Sequence, residues 1–203
     1  SSLASKRSHV IGLLMPAPVS QVFSQLYFLQ LAAYMTQASQ EHNYVLSLFL
    51  MSSDTDEKSL LAKVTRVGFL DGLIVRAAEE KETDLLLSEL SRKDIPFVVS
   101  GRPALSGDMN YVASDNYAGA RKALSHLIQL GRRRIGLIIA SEEVPGGEDR
   151  LASYREVLAE YGIPVDETLI VVNNDGYSAT RALLEAKPDA IFLCGYHPEG
   201  ALI

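Results

Sequence analysis

The sequence predicts an α/β protein in two lobes, each a doubly wound parallel sheet. Two observations carry this. Short apolar runs alternate strictly with segments of helical apolar spacing from Val10 to Cys194, and strands that are apolar throughout belong to parallel sheets buried on both faces. A polar connection rich in Gly, Pro and Ser, Gly101–Asn110, breaks the rhythm once, after which it resumes. The boundaries read as 1–8 for the end of a linker, 9–110 for the first lobe and 111–203 for the second. Two such lobes with facing strand ends leave a cleft, the usual place for a small ligand.

Each element has a local reason. Val10 to Met15 (VIGLLM) is a buried strand closed by Pro16-Ala17-Pro18. Ser20 caps a long helix to about His42, with Phe23, Leu26 and Tyr27 among its apolar positions, and Tyr44 to Leu50 is the next strand. Asp54 or Asp56 opens a helix through Val67, in which Leu60, Leu61, Val64 and Val67 recur at helical spacing. Asp71-Gly72 turns into Leu73-Ile74-Val75. Glu80 to Lys93 is amphipathic with Leu86, Leu87 and Leu90 inward, and Ile95-Pro96 leads into the strand FVVS. Tyr111 to Ile138 then reads as one βαβ unit. Asp115 or Asn116 caps its helix, Ala118, Leu124, Leu127, Ile128 and Leu130 form the stripe, and Gly131 takes the left-handed stop. Further helices fall near Asp149–Tyr161 and Gly176–Ala186, and further strands at Leu169–Val172 and Ala190–Cys194.

Bulk numbers narrow the function. At 203 residues, 47% hydrophobic and 22% charged, the chain has the composition of a soluble globular protein. A net charge of -6 argues against a nucleic-acid surface within these residues, since such affinity comes mostly from neutralised phosphates. The single cysteine, Cys194, reads as a buried structural thiol and points to a reducing cytoplasm. Ser1–Val10 lacks the apolar core of a secretory signal, and no apolar run approaches the ~20 residues of a membrane span. No cofactor is expected: GxGxxG, GxxxxGK[ST] and GxSxG are all missing, and His9, His42, His126 and His197 have no metal-ligand spacing. The run Arg132–Arg134 is read as helix C-terminal chemistry, where cations favour the dipole and bond the last carbonyls.

The residues of the 111–138 segment carry more than a fold class. Asp115-Asn116, Gly119-Ala120, His126-Leu127, Leu130-Gly131 and Arg133-Arg134-Ile135-Gly136, in that order, resemble the middle of the effector domain of LacI/GalR-type bacterial transcription regulators. IGLLMPAPVSQVF, DGLIV, IPFVV and GIPVD recur at the family's places, so the resemblance spans nearly the whole chain. It implies a type I periplasmic-binding-protein-like fold with an incomplete second lobe, because the family chain returns to its first lobe beyond the point matching Ile203. It also implies a homodimer, with helices such as Asp56–Val67 or Glu80–Lys93 contributing. The operator would be read through a helix-turn-helix head preceding residue 1.

The site implied by the resemblance is Phe23 and Arg150, with Ser20, Arg102 and Tyr196 beside them. Phe23 matches a cleft-lining phenylalanine, its alternative being helix core. Arg150 matches an arginine that binds ligand oxygens, its alternative being a solvated side chain near Glu148 and Asp149. A guanidinium presents a rigid fork suited to paired hydroxyls or a carboxylate. Leu3 stands where the family carries the leucine that wedges into the DNA minor groove; alternatively Ser1–Leu3 is a cloning remnant. Gly195-Tyr196 replaces the aspartate that usually takes sugar hydroxyls, Gly101 stands where an acid often precedes Arg102, and the Val172–Asp175 loop is short. The effector is therefore read no more narrowly than carbohydrate or nucleoside-like. The implied function is effector sensing in a cytoplasmic, DNA-binding regulator. The alternatives are a periplasmic sugar-binding protein of a transporter, which shares the fold, and an α/β enzyme, for which no catalytic constellation is found.

Overall fold

The structure, a computed structural model, describes residues 7–15, 19–24, 26–50, 54–76, 86–93, 95–101, 109–140, 146–173 and 175–194, without the side chains of 20, 21, 24 and 54–58. Leu3, Arg102 and Tyr196 lie outside these residues, as does the side chain of Ser20. The chain divides into two compact units, Ser1–Ala113 and Ser114–Ile203.

In the first unit β1 (Val10–Met15), β2 (Val45–Leu50), β3 (Gly72–Arg76), β4 (Phe97–Ser100) and β5 (Tyr111–Val112) form one parallel sheet in the order β2-β1-β3-β4-β5. β1 is interior, as a doubly buried apolar run requires. Leu14 packs with Leu73, Val75 and Val99 beneath α3 (Asp54–Val64) and a helical turn at 86–90, α4, which supplies Leu86, Leu87 and Leu90. On the other face Leu13 and Met15 meet Val22 of α1 (Val19–Ser24) and Phe28 of α2 (Leu26–Glu41). Fully burying each such side chain stabilises the fold by roughly 1.5–3 kcal/mol.

The helix expected from Ser20 to His42 is described on both sides of position 25, as Val19–Ser24 and Leu26–Glu41, and position 25 itself lies outside the described residues. One helix reading needs correction. The helix expected to reach Val67 ends at Val64, because turn bonds from Arg66 N–H to the Lys63 carbonyl and from Phe69 N–H to the Arg66 carbonyl take over; Val67 is 99% exposed.

The second unit has a three-stranded parallel sheet, β7-β6-β8, with β6 (Ile135–Ile139) wholly buried between β7 (Ile170–Val172) and β8 (Ala190–Cys194). α5 (Asn116–Gln129) and α6 (Gly147–Glu160) contribute Leu124, Ile128, Leu151, Tyr154, Val157 and Leu158 to one core. α7 (Gly176–Glu185) contributes Ala179 and Leu183 to another, with Ile138 and Leu169. Asp115 caps α5 by accepting the Ala118 N–H, and Gly131 is left-handed at φ 85°. The buried stripe is Ala120, Leu124 and Ile128, whereas Leu130 is the C-cap and 60% exposed. The arginine run serves the helix end: Arg133 Nη1 donates to the Ile128 carbonyl at 2.8 Å, and the Arg133 and Arg134 N–H groups donate to the Asp189 carboxylate.

One larger correction follows from the pairing. Tyr111–Val112 adds to the first sheet beside β4, and Ile135–Ile139 lies in the second. Tyr111–Ile138 is therefore not a βαβ unit of one sheet.

Candidate functional site

In the second unit the one described ligand candidate, Arg150, lies where α6 begins, after β6 in the chain. Gly146, the N-cap of α6, is left-handed at φ 85°. A Cβ built there would lie 2.2 Å from Asn116 Nδ2 and 2.5 Å from its Cγ, so only glycine lets the start of α5 approach this turn. One turn on, Arg150 Nη2 donates to Asn116 Oδ1 at 2.8 Å. The two helices are fastened further along. Ser153 Oγ shares its proton between the Asp149 carbonyl of its own helix at 2.7 Å and the Tyr117 carbonyl at 3.0 Å, the Tyr117 hydroxyl bonds Glu156, and Arg121 Nη2 bonds Glu160 at 2.6 Å. Beneath them the fully buried Tyr154 donates its hydroxyl to the Ile135 carbonyl at 2.7 Å, tying α6 to β6.

Arg150 is half-buried, and among the described residues one amide, that of Asn116, orients its guanidinium, a planar fork of donors that suits a ligand with adjacent oxygens. Glu148 and Asp149 sit in the first turn of α6, where negative charge complements the helix dipole.

Cys194 closes β8. Burial pushes its thiol up to about 12, against the pull of the Arg150 charge. A thiol neutral at pH 8 is a poor nucleophile, so native Cys194 should react with a disulfide reagent far more slowly than the unfolded chain. Equal rates in native buffer and in denaturant would show the thiol to be accessible and ionised.

In the first unit Phe23 lies on α1 and is 55% exposed, so it is not core. Arg76, at the C-terminal end of β3, is only 8% exposed. Its Nη1 donates to the Ser100 carbonyl at 3.0 Å, and its guanidinium lies 5.6 Å from the centre of the Tyr27 ring. At the opposite end of the strands an apolar groove of about 500 Å³ is lined by Ile11, Met35, Ile74, Phe97 and Val98, with Asp71 and His42 also in its lining. Among the described residues no cluster of His, Cys, Asp and Glu could hold a metal ion, and no helix is long and apolar enough to cross a membrane.

Comparison with known proteins decides the family. Residues 8–197 match the model for periplasmic binding proteins and the sugar-binding domain of the LacI family. The chain belongs to that family. It is 27% identical over 194 residues to the HTH-type transcriptional regulator CelR of Thermobifida fusca, covering 93% of this chain and 56% of the relative. It is 30% identical over 201 residues to catabolite control protein A of Staphylococcus xylosus, covering 93% and 56%. A solved complex of the regulator CelR with cellobiose superposes with a TM-score of 0.80 at 26% identity, covering 94% of this chain and 60% of that one. The chain thus spans just over half the length of the curated relatives it matches.

For this LacI-type domain, sequence reasoning named Arg150 but missed its partner, Asn116, which it read only as an alternative helix cap. It also missed Arg76. A cation directly after an apolar strand run, at the C-terminal edge of a parallel sheet, was the available signal.

Proposed function

We propose that this chain is the effector-sensing part of a cytoplasmic, homodimeric LacI-type transcriptional regulator. It binds an oxygen-rich small molecule, carbohydrate or nucleoside-like, and passes the event to a DNA-binding head. The observation that carries the reading is Arg150, held by Asn116 at the start of α6 in a domain of this family. Its relatives are named as regulators, and one structural neighbour was solved with cellobiose. That favours regulation over the transporter reading and over an enzyme. A ligand changes DNA affinity only if it binds the two protein states unequally. Coupling of that kind typically changes affinity about 5- to 150-fold.

The test uses the intact gene product and the DNA flanking its own gene. Retardation of that DNA, shifted by a sugar from a panel that includes cellobiose, is the expected result. Residues 1–203 alone should leave the DNA unshifted, given their net charge of -6. A secreted product that ignores DNA would establish the transporter reading instead.

A further inference from the structure

Ser8 and His9, which lead into β1, are held by a residue 63 and 62 positions away. The register sets Ile11 opposite Gly72, so the residue before β3 arrives beside the residues before β1, and Asp71 N–H donates to the Val10 carbonyl at 2.9 Å. The Asp71 carboxylate turns the same way. Its Oδ1 accepts from Ser8 N–H at 2.8 Å and from Ser8 Oγ at 2.9 Å, and its Oδ2 accepts from His9 N–H at 3.1 Å.

The other side is held by β2. The His9 carbonyl accepts the Val45 N–H at 2.8 Å, and the imidazole lies 5.5 Å from the Tyr44 ring. His9 itself is left-handed, φ 55°, a conformation that non-glycine residues keep only where surroundings over-determine it. The three bonds, that from Ser8 N–H foremost, hold the Asp71 carboxyl below the usual carboxylate range.

We propose that Asp71 is a positioning residue for the chain preceding Ser8: it clamps Ser8 and His9 to the sheet and so sets the direction in which that chain leaves the first unit. A flexible tether would let an upstream segment point anywhere. A clamped one makes its orientation follow the sheet, which is what transmission to a DNA-binding head requires. This consequence rests on the function proposed above, whereas the clamp itself does not.

Spin labels at Arg7→Cys and Gln40→Cys, both exposed positions, in the intact gene product with its native cysteines, Cys194 among them, replaced by serine and the labelled subunits diluted with unlabelled ones, read the clamp directly. The parent should give a single narrow distance peak and Asp71→Ala should lose it, with Ser8 and His9 amide exchange rising about tenfold or more. Asp71→Asn, which keeps one oxygen for Ser8 but sets an NH2 against His9 N–H, should fall between. A turn residue that merely stabilises the fold would lower the melting temperature and leave the peak narrow, and that result overturns the proposal. Loss of the peak without any change in binding to the flanking DNA would uphold the clamp and reject the coupling to a DNA-binding head.

Discussion

Arg150→Ala is expected to weaken effector binding by about ten- to a hundredfold, because a charge-assisted bond contributes roughly 1.5–3 kcal/mol and 1.4 kcal/mol is tenfold. The geometry makes this a clean test. Arg150 sits in the first turn of α6 and bonds only Asn116 among the described residues, so its loss removes little core and the melting temperature should hardly move. Arg150→Lys should rescue poorly, since an ammonium cannot span two ligand oxygens with a planar fork. Calorimetry with the sugar found in the DNA-release panel measures both variants. Wild-type affinity in Arg150→Ala would return the residue to the solvated surface and leave the second unit's site without its anchor.

The largest effect on stability is expected at Tyr154. Among the described residues it is the largest of the fully buried side chains, and it packs with Leu124, Leu137, Leu151 and Val157. Truncating a buried aromatic to alanine costs about 3–5 kcal/mol. Tyr154→Phe keeps the packing but orphans the Ile135 carbonyl, which costs about 1–3 kcal/mol. The chain has no tryptophan, so denaturant unfolding is best followed by far-UV circular dichroism. A loss for Tyr154→Ala no greater than for Tyr154→Phe would show that the ring's packing contributes little.

The same side chain gives the pH dependence a sign. Burial first, then the Asp166 and Glu167 charges, push the Tyr154 hydroxyl up from 10.0 to about 12. Its folded-state pKa is raised, so its contribution is complete below pH 10 and is lost as pH rises toward 12, where the unfolded chain ionises first. Tyr154→Phe should flatten the alkaline limb of the stability profile.

Much of the fold was legible because its determinants are local. VIGLLM, IGLII and AIFLC are apolar at every or nearly every position, which suits only strands covered on both faces, and all three lie in parallel sheets. Asp115 and Gly131 mark the ends of α5 by side-chain and backbone chemistry that acts within a turn. Leu86, Leu87 and Leu90 are inward because helical spacing puts them on one face. Arg150 was legible by resemblance, and its place at the start of α6 follows from the glycine loop before it.

What periodicity leaves open is the partner. Tyr111–Val112 reads equally well as the first strand of one sheet or the last of another, and only its pairing with Val99 and Ser100 assigns it. Asn116 meets Arg150 across 34 positions, and Asp71 meets Ser8 across 63. Arg76 is buried because β4 brings the Ser100 carbonyl and α2 brings the Tyr27 ring to it. Sequence by itself determined which segments are strands and helices and which faces they bury, since spacing along the chain sets where apolar groups point. Tertiary structure decided which strand lies beside which and which polar side chains meet. Those choices depend on the free energy of contacts between residues far apart in the chain, which no local pattern encodes.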